Sequence, residues 1–200
     1  SSSTSQAGEQ ERDAAVLDIG PLLVDACRRN DAMAARSLLQ EGAPSNATDL
    51  KTGWTALDWA AHNGDVALVQ ALLRAGASAA YHRRGATASA TAPLSPRGPI
   101  VQPPMLPSLP ARATPLHWAA YQGSLRVTWV LLQDGYSSND VDEVGNAPAH
   151  LAATNGHDRV LETLLADGAD PTARNCFGNA PADVAATKAC RALLARAAAA

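Results

Sequence analysis

The sequence predicts an all-α solenoid of stacked helix-turn-helix repeats, and three observations carry that expectation. A seven-residue pattern, Thr114-Pro-Leu-His-Trp-Ala-Ala120, is echoed at Thr55 to Ala61, Ala147 to Ala153 and Ala180 to Ala186. Its spacing is fixed: Thr114 to Ala147 and Ala147 to Ala180 are each 33 positions, while Thr55 to Thr114 is 59, one period with 26 residues inserted. After three of the copies comes a run with apolar residues at helical spacing, Val66 to Leu73, Leu125 to Leu132 and Val160 to Leu165, closing on Gly76, Gly135 or Gly168. A period of this size marks units that bury a core only by stacking.

Each element has a local reason. A Thr at the head of the motif accepts hydrogen bonds from the free N–H groups of a first helical turn, and Pro at the next position lacks the N–H that would go unpaired there. The heptad therefore opens a helix. Two residues after each Ala-Ala pair comes Gly64, Gly123 or Gly156, a residue suited to the left-handed conformation that ends a helix. The apolar run makes a second helix, whose Leu131 and Leu164 are expected between helices. About a dozen polar, turn-rich residues such as Gly168 to Gly178 then lead to the next unit.

These residues resemble the ankyrin repeat. The resemblance rests on Thr-Pro-Leu-His at Thr114 to His117, on Ala119-Ala120 and Gly123, and on Leu-Leu-x-x-Gly-Ala at Leu72 to Ala77 and Leu164 to Ala169. It covers roughly residues 20 to 196 apart from the insertion. It implies about five repeats with projecting β-hairpin-like turns. It also implies that His117 and His150, at the fourth motif position, hydrogen-bond within and between neighbouring repeats. Asp58 and Asp183 fill that position in the other copies, which argues against a catalytic imidazole.

The expected boundaries are a disordered tail over 1–18 and a repeat domain over 19–200. Within the domain, 19–52 is an N-terminal capping repeat, 53–84 a second repeat, 85–112 a Pro-rich insertion, 113–144 and 145–177 two further repeats, and 178–200 a C-terminal cap. The first repeat lacks the Thr-Pro opening, as suits a terminal unit whose outer face meets water. Its turn is one residue longer than the others, with the extra residue expected near Asp49 to Thr52. In the last repeat Ala186 lies only seven positions before Leu193, so the turn between its two helices is expected to be shortened by about four residues. The insertion carries seven prolines from Pro93 to Pro110, and such a segment favours polyproline II without a core of its own. Two readings stand: a neutral loop insertion, or a docking peptide for a proline-reading domain over 93–110, where four Pro-x-x-Pro spacings occur. Ser95-Pro96-Arg97 also has the form of a proline-directed phosphorylation site.

Composition excludes several classes. With 46% apolar and 18% charged residues the chain suits a domain with a buried core, and a net charge of −3 gives no general affinity for nucleic acid or anionic membrane. Cys27, Cys176 and Cys190 are odd in number and too widely spaced for a metal motif, so all three are expected as thiols. No apolar run has the length of a membrane span, and the Ser-rich start has no signal-peptide pattern. The expected setting is cytoplasmic, alternatively nuclear. The absence of an initiator Met is what a fragment or processed product would show. His62, His82, His117, His150 and His157 are scattered without metal-ligand spacing, and no phosphate loop or nucleophile elbow occurs. Neither a cofactor nor enzymatic activity is expected.

What remains is surface. The resemblance implies a concave face lined by first helices and projecting turns, taking a partner protein or peptide. On it would stand Arg28, Arg29, His62, Asn63, Tyr121, Gln122, Thr154 and Asn155 from the helices, and Lys51, Trp54, Glu143, Val144, Asn146 and Phe177 from the turns. The basic Arg28-Arg29 end and the acidic Asp142-Glu143 end would set the direction of a bound segment. Nothing in the stack calls for an aromatic at Trp54 or Tyr121. Trp129, in register with Gln70 and Glu162 on the outer side of the second helix, is out of place and expected to be covered by the insertion or a partner. The alternatives are a regulatory or targeting domain of a larger enzyme or channel, such as an acyltransferase or kinase, and a structural subunit of a large assembly.

Overall fold

The computed structural model describes residues 19–49, 52–78 and 112–199. The tail over 1–18 and nearly all of the insertion, with its proline spacings and Ser95, lie outside the described residues. Among those described there are nine helices and no strand: α1 Gly20–Arg28, α2 Ala32–Gln40, α3 Ala56–Asn63, α4 Val66–Arg74, α5 Pro115–Gln122, α6 Leu125–Gln133, α7 Pro148–Asn155, α8 Asp158–Ala166 and α9 Lys188–Ala198. None is long and apolar enough to cross a membrane.

The helices form two layers. First helices α1, α3, α5 and α7 pack closely on one another, and second helices α2, α4, α6 and α8 form a looser layer beside them. Residue size explains the difference. Ala60, Ala61, Ala119, Ala120, Ala152 and Ala153 are wholly buried in the first layer, where a single methyl lets backbones approach. The second layer interlocks through the larger Leu68, Leu72, Val127, Leu131, Leu161 and Leu164, also wholly buried, and larger contact residues set helix axes further apart.

Capping varies between copies. At α3, the Asp58 N–H donates to Thr55 Oγ1 at 3.1 Å and the Thr55 N–H donates to Asp58 Oδ2 at 2.8 Å, a reciprocal capping box. At α5 Thr114 is the N-cap and His117 takes the place of the acid in the box: the Thr114 N–H donates to His117 Nδ1 at 3.1 Å, and the hydroxyl lies 2.9 Å from the same nitrogen. At α7, where the motif begins with alanine, the Ala147 N–H donates to His150 Nδ1 at 3.1 Å. Gly64, Gly123 and Gly156 end α3, α5 and α7 with φ of 73°, 74° and 72°. After α1, Asn30 takes the left-handed position with φ 58°, a conformation its short polar side chain tolerates.

The turns also follow the sequence. The Asn146 carbonyl closes back on Asp142 N–H at 3.0 Å and the Asn179 carbonyl on Asn175 N–H at 3.0 Å, whereas in the first turn the Trp54 carbonyl closes on Asp49 N–H at 2.7 Å. That loop spans one residue more, as expected. Its flanks meet in an isolated antiparallel bridge, Thr48 to Thr55.

The last unit departs from expectation. It has lost not the turn between two helices but the first helix itself: Pro181 to Asp183 make one turn, and α9 follows directly with Thr187 as its cap. Asp183 Oδ2 still accepts the Ala180 N–H at 2.9 Å. Ala186 N–H then donates to the Ala153 carbonyl at 2.9 Å, docking the shortened segment on α7. With so few residues between Ala180 and Thr187, the nucleus forms but cannot propagate. Asp158 fixes α9 by accepting from Thr187 Oγ1 and Cys190 Sγ, each at 2.8 Å.

Candidate functional site

The candidate surface begins with what holds it in register. His117 Nδ1 accepts from Thr114, so its Nε2 carries the proton and donates to the Asn146 carbonyl at 3.0 Å, 29 residues on. His150 repeats the arrangement, Nε2–H to the Asn179 carbonyl at 3.1 Å, again 29 residues on. Each imidazole thus caps its own helix and ties it to the next turn. Burial holds the pKa of both below the usual histidine value, against the opposing pull of the Asn146 and Asn179 carbonyls. A charged ring would lose the Nδ1 acceptor that the cap requires.

A second ladder runs along the turns. Asp142 is buried, its Oδ1 accepting from Val144 N–H at 2.9 Å and Asn146 N–H at 2.8 Å. Asn146 Oδ1 accepts from Asn175 Nδ2 at 2.9 Å, and the Val144 carbonyl accepts from Cys176 N–H at 2.8 Å. The expectation that Asp142 and Glu143 together form an acidic end is corrected accordingly. Asp142 is enclosed by the turn it organises, and Glu143 alone is exposed.

The expected contact residues fall into two groups. Asn63 Nδ2 donates to the Cys27 carbonyl at 2.8 Å, Asn155 Nδ2 to the Tyr121 carbonyl at 2.8 Å, and Thr154 Oγ1 to the His150 carbonyl at 2.8 Å. Asn63, Asn146 and the Val144 backbone are engaged inside the stack, whereas Thr154 and Asn155 make these bonds and remain exposed. Arg28, Arg29, Gln122, Glu143 and Phe177 are exposed, Phe177 at 75%, and the side chains of His62 and Tyr121 are half-buried. Arg28 and Arg29 share Asp25, and the Arg28 hydrogen bond is the main cause of that carboxyl's lowered pKa. Lys51 lies outside the described residues.

Trp54 is not an idle surface aromatic. Its ring centroid lies 4.3 Å from that of Trp59 and 3.8 Å from that of Trp118, and His62 stands 5.7 Å away. The expectation that nothing in the stack requires an aromatic there is corrected. Trp59 and Trp118 occupy the same fifth position of consecutive motif copies, and Trp54 packs against both, with His62 beside the three rings. That register was the available signal for the cluster. His157, absent from the expected set, donates Nε2–H to the Tyr121 carbonyl at 3.0 Å and so binds α7's end to α5's. Trp129 is 58% exposed, so the stack itself does not cover it. Among the described residues no group of three or more His, Cys, Asp or Glu could hold a metal ion.

A family model described as ankyrin repeats (3 copies) matches residues 103–175, and one described as ankyrin repeats (many copies) matches residues 23–73. No curated protein matches the chain. The matched stretches together take in more than half of the 200 residues and meet the helix pairs, the left-handed glycines and the histidine links described above, and the chain belongs to the ankyrin-repeat family.

Proposed function

We propose that the chain is a non-catalytic interaction module that holds an extended segment of a partner protein along the first-helix side of the stack. Ankyrin repeats are generally protein-protein interaction modules. One observation carries the finer reading. The two residues ahead of each helix-ending turn recur at the same place in successive first helices and differ in kind: Arg28-Arg29, His62-Asn63, Tyr121-Gln122 and Thr154-Asn155. Packing and capping positions repeat from copy to copy because the stack dictates them; these positions do not. With Asn63 engaged in the stack, recognition falls to Arg28, Arg29, His62, Tyr121, Gln122, Thr154 and Asn155, joined by Glu143 and Phe177 on the turns. Arginine and tyrosine are residue types that often dominate interface energy.

The test is affinity purification with the full chain and with a variant carrying Arg29→Ala, Tyr121→Ala and Gln122→Ala. A partner held through this side loses at least tenfold in affinity, about 1.4 kcal/mol, while the variant's melting temperature stays near that of the parent. Undiminished capture by the folded variant would place the partner elsewhere.

A further inference from the structure

The opposite side of the stack carries a second feature. Between α2 and α4 a groove of about 540 Å³ opens, lined by the apolar Leu39, Ala67, Ala71 and Ala75 and by Arg36, Gln40, Gln70 and Arg74. Its origin is in the sequence. Ala67 and Ala71 of α4, with Ala75 just past its end, correspond to Arg126, Val130 and Asp134 at α6 and to Arg159, Thr163 and Asp167 at α8. Where α4 keeps methyl groups, space remains between it and α2.

Charge then says what fits. No carboxylate lines the groove. The acidic residues nearest in sequence are engaged elsewhere: Asp31 accepts the Ala34 N–H at 3.0 Å, Asp65 the Ala67 and Leu68 N–H groups at 2.9 and 3.0 Å, and Glu41 the Ser37 hydroxyl at 3.0 Å. Arg36 and Arg74 are both exposed and make none of the ion pairs found among the described residues. Two unanswered guanidinium groups therefore stand beside an apolar lining. Following the same register onto α6, the position of Arg36 and Gln70 is Trp129, 58% exposed.

We propose that this outer groove is a second docking site, for an acidic peptide segment of a partner protein that carries an apolar or aromatic anchor. Its carboxylates pair with Arg36 and Arg74, Arg presenting a planar fork suited to carboxylate. Its anchor lies on the alanine lining or against Trp129. Three second helices at about 10 Å spacing span a path that about six extended residues cover. An anionic lipid surface fits less well, because the next residue in the register is Glu162 and the chain's net charge is −3. The site lies on the layer opposite the first helices and stands independently of the reading above.

Panning a random dodecapeptide library on the full chain tests it. Expected is enrichment of peptides with two or more Asp or Glu around an aromatic or aliphatic residue. Their binding weakens at least tenfold with Arg36→Glu and Arg74→Glu together, weakens less with Arg36→Gln and Arg74→Gln, and is unchanged by Tyr121→Ala. They also quench or shift tryptophan emission in the parent but not in Trp129→Phe. The Gln pair keeps the test meaningful if the Glu pair unfolds. No enrichment, a non-acidic consensus, binding that survives loss of the two arginines, or displacement of the peptides by phosphatidylserine vesicles would each overturn the proposal.

Discussion

The ring of His157 lies across Gly123, with its Nδ1 2.5 Å from where a Cβ would stand at that glycine. The ring cannot readily give way, because its other nitrogen donates to the Tyr121 carbonyl. At the equivalent Gly64 the obstacle is only Ser124 Oγ at 2.8 Å, a hydroxyl free to rotate, with the Ser124 Cβ at 3.8 Å. Both glycines share the left-handed conformation, which costs an L-residue about 1 to 2 kcal/mol. Gly64→Ala should therefore lower stability by about that amount and Gly123→Ala by distinctly more, in urea unfolding of each variant. Adding His157→Ala to Gly123→Ala should recover the excess. Equal losses at the two glycines would mean the ring moves freely.

Acid should loosen the stack through His117 and His150. Both are depressed in the folded chain, chiefly by burial, so the unfolded chain takes up protons first as pH falls below about 6.5. The sign is loss of stability on acidification, beginning near that value and continuing until the folded pKa is reached. Each histidine contributes up to about 1.4 kcal/mol per pH unit in that window. Unfolding measured at pH 7.5 and pH 5 should show the loss, and His150→Gln should reduce it while lowering stability at both pH values. A variant with the parent's slope would assign the acid response to other groups.

Much of this was legible in the sequence because the relevant physics is periodic. The 33-residue spacing places His117 and His150 alike, and their links to Asn146 and Asn179 follow from one geometry repeated. Leu131 and Leu164 fall in the core for the same reason. What was not legible is what happens once. The last unit's loss of a helix depends on how few residues separate Ala180 from Thr187, and counting shows the shortage but not which element gives way. The engagement of Asn63, Asn155 and Asp142 needs the third dimension, since a polar side chain reads as surface until its partner is known. The outer groove was hidden because alanines on α4 look like ordinary helix formers.

Thiol chemistry should separate the three cysteines. Cys27 is buried and its pKa is pushed up to about 12 by burial, with Asp65 adding to the effect. Cys190 is also buried, its pKa raised first by burial and then by the bond it donates to Asp158. Cys176 is exposed on a turn. Since the thiolate is the reactive form, a disulfide reagent at neutral pH should titrate one thiol in the folded chain and three in denaturant. Fast labelling of two or more under native conditions would contradict the packing of α1 or α9.

Trp54 and Tyr121 should part company when each is replaced by alanine. Trp54 rests on Trp59 and Trp118, and two tilted aromatic pairs contribute about 0.5 to 1.5 kcal/mol each beyond the area they bury. Trp54→Ala should thus destabilise by about 2 to 3 kcal/mol, with Trp54→Phe recovering part of the loss. Tyr121 serves the stack through its backbone carbonyl, which accepts from Asn155 and His157 and survives replacement of the ring. Tyr121→Ala should stay within about 0.5 kcal/mol of the parent, the range of substitutions away from the core. The comparison matters for any binding study of the inner side. A weaker complex with Tyr121→Ala can be read as a lost contact, whereas the same result with Trp54→Ala mixes contact with collapse of the tryptophan cluster. Denaturant midpoints for the two variants decide it, and equal midpoints would show that Trp54 packs on the cluster without supporting it.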